Sequence, residues 1–236
     1  MIVIAELHLS LVGPSAADLA DIASFPGATS ISIRGSVGCL DGGLSVLRVQ
    51  RTIERLELIE CDITDAALEV IKQLESLRHL DLSFCNRISS TAVGSLGRLP
   101  NLETLTLNWC YDVSDAAFDR RGAFPAMKRL SLWSLEDLTD IGLCAIANML
   151  RLERLELPEF AHITDEGLGA LATRATRLRE LRLVHVPVTD AGLLTLAQHS
   201  RLARLAIDEC SGVTDSAISE YRRLNPQCQV VLGAIL

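Results

Sequence analysis

Apolar positions return along this chain in one pattern from end to end. The best copies read Leu-x-x-Leu-x-Leu-x-x-Cys-x-(x)-Ile-Thr-Asp. Taking the second leucine of each Leu-x-Leu core as reference, the register falls at Leu9, Ile33, Leu58, Leu82, Leu107, Leu132, Leu157, Leu183 and Ile207, a step of 24 to 26 residues. A last apolar run, Val230-Val231-Leu232, falls at the next step. Self-similarity at this period predicts a solenoid, in which each unit has an apolar side that only its neighbours can cover. The unbroken register predicts a single domain over residues 1–236, about nine repeats and a terminal strand, with no linker.

Within one unit the pattern changes period. Leu56-Glu57-Leu58 alternates, which predicts a short strand with one buried face. Cys61 and Ile63 then turn inward. Thr64 stands where a hydroxyl can cap the first turn of a helix, and Asp65 follows where negative charge suits the helix dipole. Leu68, Ile71 and Leu74 recur at helical spacing. The cap column continues as Ser89, Ser114, Thr139, Thr164, Thr189 and Thr214, and the acidic column as Asp115, Asp140, Asp165, Asp190 and Asp215, with Ser90 in place of one aspartate. A row of aspartates invites a metal or acid–base reading, but each belongs to a different helix start, and capping accounts for all of them together. Two early units are degenerate. There Leu7-His8-Leu9 is expected as the first strand core, Ser15 falls in the cap column and Asp41 in the acidic one. Asp119-Arg120-Arg121-Gly122-Ala123-Phe124-Pro125 is expected to end its helix early, because glycine and proline both disfavour continuation.

Composition narrows the function. Hydrophobic residues make up 49% of the chain and aromatics only 4%, so the core is aliphatic. The net charge of −8 has the wrong sign for a protein that grips phosphates, and no nucleic-acid partner is expected. No apolar run approaches the ~20 residues a membrane span requires. The seven cysteines include no C-x-x-C pair, and Cys61, Cys85, Cys110 and Cys210 share one repeat position. They read as small buried hydrophobes in a reducing compartment, with an intracellular, cytoplasmic location expected, rather than as disulfides or a zinc site.

The units Leu56-x-Leu58-x-x-Cys61-x-Ile63-Thr64-Asp65 and Leu205-x-Ile207-x-x-Cys210-x-x-Val213-Thr214-Asp215 resemble the cysteine-containing class of leucine-rich repeats (LRR), as found in F-box/LRR substrate receptors of ubiquitin ligases and their relatives. Leu135, Phe160 and Val186 depart from the cysteine. The resemblance implies an α/β horseshoe with a parallel β-sheet on the concave face and helices on the convex face. It also implies capture of a protein partner on that sheet. No F-box-like stretch is seen.

Strand alternation predicts which side chains face outward on the sheet. Phe84, Trp109, Tyr111 and Trp133 come from three consecutive units and are expected as one aromatic cluster. Asn108 and the arginines Arg129, Arg154 and Arg182 lie beside it, with Arg204 further on. Exposed aromatic residues next to arginine are the composition of a binding hot spot. The competing reading is local packing of Phe84 and Trp109 over the rim, with the arginines part of a solvated mixed-charge sheet that includes Glu156, Glu159, Glu180, Asp208 and Glu209. The five histidines show no metal-ligand spacing, and no nucleophile motif or phosphate cradle is present. The chain is therefore expected to be no enzyme and to use no cofactor or metal. The expected function is a protein–protein interaction module, a scaffold or adaptor like the F-box/LRR receptors. The alternative is a structural subunit of a larger assembly, as resemblance to a small mitochondrial ATP synthase coupling factor with the same class of repeat implies. Glu220-Tyr221-Arg222-Arg223 reads as a modest C-terminal cap. Ile2-Val3-Ile4 reads as a bare end open to a partner, to self-association or to an upstream domain.

Overall fold

In the computed structural model, which describes residues 7–120, 122–159, 162–199 and 201–233, ten strands form one parallel sheet in chain order. They are β1 (Leu7–Val12), β2 (Ala28–Arg34), β3 (Arg55–Ile59), β4 (His79–Asp81), β5 (Thr104–Thr106), β6 (Arg129–Ser131), β7 (Arg154–Pro158), β8 (Glu180–Val184), β9 (Arg204–Asp208) and β10 (Gln229–Leu232). The chain returns between strands through α1 (Asp65–Ile71), α2 (Ser90–Ser95), α3 (Asp140–Ala147), α4 (Asp165–Arg174), α5 (Asp190–Leu196) and α6 (Asp215–Leu224). In the first, second and fifth units the return is a 3-10 turn, at Asp18–Ser24, Gly43–Val49 and Asp115–Ala117. A parallel sheet with right-handed helical returns puts all helices on one face and leaves the other open. This is the α/β repeat solenoid that the period implies.

The core runs through every unit as stacked leucines. Leu56, Leu58, Leu80, Leu82, Leu105, Leu107, Leu130, Leu132, Leu155 and Leu157 are all buried. The inward cysteines stack with them. The Cys85 and Cys110 thiols each lie 3.1 Å from a strand carbonyl of the preceding unit, Leu58 O and Leu82 O. Burial pushes the thiols of Cys61 and Cys110 up to about 12 and those of Cys85 and Cys210 up as well, so they stay protonated. Leu135 and Val186 fill the same column and are equally buried. Phe160, read as a third replacement, lies outside the described residues, as do Ile2, Val3 and Ile4 of the apolar start.

The first unit departs from the sequence reading. The structure pairs Leu9 with Ile31 and Leu11 with Ile33, so the strand core is Leu9-Ser10-Leu11, with an irregularity between Leu7 and His8. A slip of two residues leaves every side chain on its original face, so alternation alone does not detect it. Ser15 also does not cap. Its amide and hydroxyl both donate to the Asp18 carboxylate at 2.7 Å, and the turn starts later. At the other end Tyr221 is not part of a polar cap but is buried beside Cys228, while Arg223 pairs with Glu220 outside.

The acidic column has a role that a single unit does not reveal. Asp41, Asp65, Asp115, Asp140, Asp165 and Asp190 each accept from the amide and hydroxyl of the cap residue in the next unit, at 2.5–2.9 Å. Asp115 and Asp140 also accept from the Gly142 and Gly167 amides. A Cβ on Gly167 would lie 2.4 Å from the Asp140 carboxylate, so the close approach requires glycine. The result is a hydrogen-bonded ladder joining each helix start to the next. The cap hydroxyls of Thr64, Ser89, Thr139, Thr164, Thr189 and Thr214 accept from their own first turns.

One rung differs. Ser90 supplies a hydroxyl where other units have a carboxylate. It lies 3.0 Å from the Ser114 hydroxyl and accepts the Ser114 amide at 2.8 Å. Ser114 has the extended N-cap backbone but makes no side-chain cap bond, and its helix is only the three-residue turn Asp115–Ala117. The helix thus ends before the Gly-Pro segment reaches it. Phe118 and Phe124, with ring centroids 6.2 Å apart, fill the core space that helical side chains occupy in neighbouring units.

Candidate binding surface

The open sheet face has two rims of opposite character. Along the rim where the strands begin, Glu54, Arg78, Glu103 and Lys128 alternate in charge across successive units. Arg78 meets Glu54 at 3.7 Å and Glu103 at 2.9 Å, and Lys128 meets Glu103 at 2.9 Å. The lysine's hydrogen bond, with both positive charges, holds the Glu103 carboxyl below its usual range. From the third to the sixth unit this rim satisfies itself.

The rim where the strands end is mixed: Ser134 bonds Glu159 and His185 meets Glu209, whereas Phe84 and Trp109 in the fourth and fifth units make it apolar. Two residues beyond the second leucine the chain must turn through the left-handed region to bring the cysteine position inward. Gly13 and Gly35 make that turn at φ +62° and +64°. Glu60, Phe84, Trp109, Ser134, Glu159, His185 and Glu209 make it at φ +48° to +62°. An L residue here costs roughly 1–2 kcal/mol relative to glycine, and a bulky one is unusual. At Phe84 and Trp109 the turn throws two aromatic rings outward. They stack with centroids 5.9 Å apart and planes 5° from parallel, and Tyr111 meets Trp109 edge-on at 6.3 Å. Phe84 remains 46% exposed and Tyr111 43%.

Trp133, expected in the same cluster, sits apart from this stack, in a polar patch on the sheet face. Its amide donates to Asn108 Oδ1 at 3.0 Å, its indole N–H reaches Glu156 Oε2 at 3.4 Å, and the Arg182 guanidinium lies 4.9 Å above its ring. Asn108 also accepts from the Ser131 hydroxyl, so its side-chain carbonyl is committed within the patch. Glu156, which sequence reading placed only as a neutralising charge, is the hub of this patch. It accepts from Ser131 and Trp133 and pairs with Arg154 at 2.6 Å, while being only 16% exposed at its side chain. Arg154 also reaches Glu180 at 3.1 Å. Arg129 and Arg204 have no carboxylate within ion-pair distance among the described residues. The predicted residues therefore fall into two neighbouring features: an apolar rim of Phe84, Trp109 and Tyr111, and a charged sheet patch of Trp133, Asn108, Arg129, Arg154 and Arg182. Two open depressions of about 400 and 300 Å³ lie along the arginine strands.

The left-handed turn was missed in the sequence, although Gly35 stands in register with Phe84 and Trp109 and signals it. Among the described residues no three His, Cys, Asp or Glu side chains are grouped to hold a metal ion. No helix there is long and apolar enough to cross a membrane.

This geometry is that of a leucine-rich repeat solenoid. A family model described as Leucine Rich repeat matches residues 73–97, one unit running from the end of α1 through β4 and α2. Among solved structures the chain is similar to an internalin, inlF, of Listeria monocytogenes, with a TM-score of 0.63 and 20% identity over 91% of this chain and 58% of that one. It is similar to internalin C2 of the same organism, with a TM-score of 0.65 and 23% identity over 92% of this chain and 84% of that one. It is also similar to a chain of the yeast Rad7–Elc1 complex, with a TM-score of 0.61 and 17% identity over 94% of this chain and 68% of that one. These identities speak for the shared fold. Comparison of the sequence with curated proteins finds no match.

Proposed function

We propose that residues 1–236 form one repeat domain acting as a non-catalytic protein-interaction module, which holds a partner protein on its sheet face and strand-end rim. The observation that carries this reading is the Phe84–Trp109 stack. Two large aromatic rings occupy left-handed backbone positions that glycine fills in the first two units and that polar or charged residues fill in five others, and Phe84 is exposed while Trp109 is half-buried. Folding has no need of apolar bulk at these positions, since glycine, serine, glutamate and histidine serve in the other units, and an outward-facing aromatic pair points to binding. Tyr111 extends the apolar contact. Trp133, Asn108, Arg129, Arg154 and Arg182 supply a polar neighbourhood for hydrogen-bonding groups of the partner. The finer reading is an adaptor that brings its captured partner to a larger assembly, as the likeness to a chain of a two-protein complex supports. The buried, protonated thiols suit a reducing compartment.

The test exploits the glycine equivalence. Tagged wild-type chain and a Phe84→Gly/Trp109→Gly variant are used to capture proteins from native cells, and both are checked for their unfolding midpoints. The expected outcome is one or more partners retained by the wild type and lost by the variant, at a similar midpoint. Partners retained equally by both forms would remove the rim from the reading.

A further inference from the structure

The helix layer has a gap in the fifth unit. On one side α3 packs against α4. On the other it meets only the three-residue turn Asp115–Ala117 and the segment that follows. That segment folds back toward the fourth unit, where Ala123 lies so close to Gly97 that a Cβ there would meet it at 2.7 Å. Between the segment and α3 lies a groove of about 640 Å³. Phe118 and Phe124 back it on one wall, Ala145 and Met149 on the other, with Ile141 and Leu150 at its mouth. These last two are 72% and 79% exposed. The positions matching Ile141 in other units hold Ala66, Thr91, Glu166, Ala191 and Ser216, so a large aliphatic here is not part of the repeat.

Charge surrounds the groove unevenly. Arg120 lines it, Arg151 follows Leu150, and Arg98 follows Gly97. All three are exposed, and none has a carboxylate within ion-pair distance among the described residues. Among the described residues the opposing charges are Asp119, which lines the groove, and Asp140 beside Ile141, whose carboxylate is taken up by Thr164 and Gly167. A locally basic rim around an apolar slot is unusual in a chain of net charge −8.

We propose that this groove takes one amphipathic helix of a partner protein, with an apolar stripe toward Ile141, Leu150 and Phe124 and acidic residues on its flanks. A helix is what fills the corresponding place in the flanking units, so the slot continues an interface the molecule already makes with itself. Its apolar anchors would recur at i, i+3, i+4 and i+7. The acidic flanks answer Arg98, Arg120 and Arg151. This site lies on the helix face, away from the aromatic rim, and stands independently of it.

The test pans a displayed library of short helix-forming peptides, randomised on stripe and flanks, against the full chain. Recovered peptides are then measured on an Ile141→Glu/Leu150→Glu variant, whose exposed positions leave the fold intact. The expected peptides carry an apolar stripe with Asp or Glu flanks, and they lose about tenfold or more in affinity on the variant. They protect Cys144, which lines the groove, from alkylation and leave the exposed Cys39 reactive. An Arg120→Glu/Arg151→Glu variant weakens them too, by a margin that shrinks at high salt. A pool without such a stripe, or peptides that bind the variant equally, would overturn the proposal. So would salt-insensitive binding of Lys-flanked peptides. Wild type that self-associates in sedimentation, where the Ile141→Glu/Leu150→Glu variant does not, would assign the groove to a second copy instead.

Discussion

The seventh and fifth units show what regularity does in this molecule and what its loss permits. In the seventh, Thr164 caps α4 while both its amide and hydroxyl bond Asp140, and Asp165 repeats the arrangement on Thr189. The helix runs ten residues, and its outward positions are small or polar. In the fifth, the rung from Ser90 to Ser114 has no carboxylate, the cap bond is gone, and the helix stops after one turn. Trp109 and Tyr111 project from the sheet end of that same unit, and the apolar groove opens at its helix end. In the seventh unit, with its rungs complete, the helix surface is bland. Around the weakest rung, in the fifth unit and the units that flank it, apolar groups are exposed on both faces: Phe84 and Tyr111 at the sheet end, Ile141 and Leu150 on the helix side. The stability of the solenoid is a sum of units and their interfaces, so one weak unit is tolerated if its neighbours are strong.

Substitutions in the ladder should break this contrast most sharply. Removing Asp140 leaves three donors without their acceptor: the Thr164 amide and hydroxyl and the Gly167 amide. Asp140→Ala is expected to lower unfolding free energy in urea by about 2–3 kcal/mol, and Ser90→Ala by about 1 kcal/mol or less. Equal losses would show that the two rungs do not differ. Gly167→Ala is expected to cost about 1–3 kcal/mol, because its Cβ would meet the Asp140 carboxylate at 2.4 Å and Leu143 at 2.8 Å. Gly169→Ala, two residues on, has nothing nearer than Thr195 at 3.9 Å and is expected to stabilise by up to about 1 kcal/mol. The same unfolding curves check both.

Ser90→Asp sharpens the comparison from the other side. It restores the missing carboxylate opposite the Ser114 amide and should stabilise by up to about 1 kcal/mol. No gain would place the weakness of the fifth unit in its Phe118 and Phe124 packing instead. The smallest effect concerns pH. Burial on the sheet face, with the positive charge of Arg55, holds His79 below its usual 6.5. The unfolded chain then binds that proton more readily, so stability should decline slightly as pH falls below 6.5 toward the folded-state value. His79→Gln should flatten that slope in a pH series of thermal unfolding.

The period made the solenoid legible, since leucines at 24 to 26 residues leave few alternatives. Helix starts at Thr64, Thr139 and Thr164 were readable for the same reason, because cap chemistry is local. Relations between units were not readable. Asp140 looks like a dipole partner of its own helix, yet its acceptor role is toward Thr164, a full unit away. The register of β1 was misplaced because a slip of two residues preserves the buried face. Of the four aromatic residues expected as one cluster, Phe84 and Tyr111 are exposed and Trp109 and Trp133 half-buried, and their grouping was not readable. The left-handed backbone at Phe84 and at Trp109 sends them to the rim, while Trp133, one position before the left-handed Ser134 of its own unit, lies under Arg182 on the sheet side.

The central claim is that the strand-end rim and sheet face hold the partner. Amide hydrogen exchange of the chain alone and with its captured partner tests it most directly. The expected result is slowed exchange at the turn amides of Phe84 and Trp109 and around Trp133, with the self-satisfied rim at Arg78 and Lys128 unchanged. Slowing confined to the helices, with Phe84 and Trp109 exchanging as before, would contradict it.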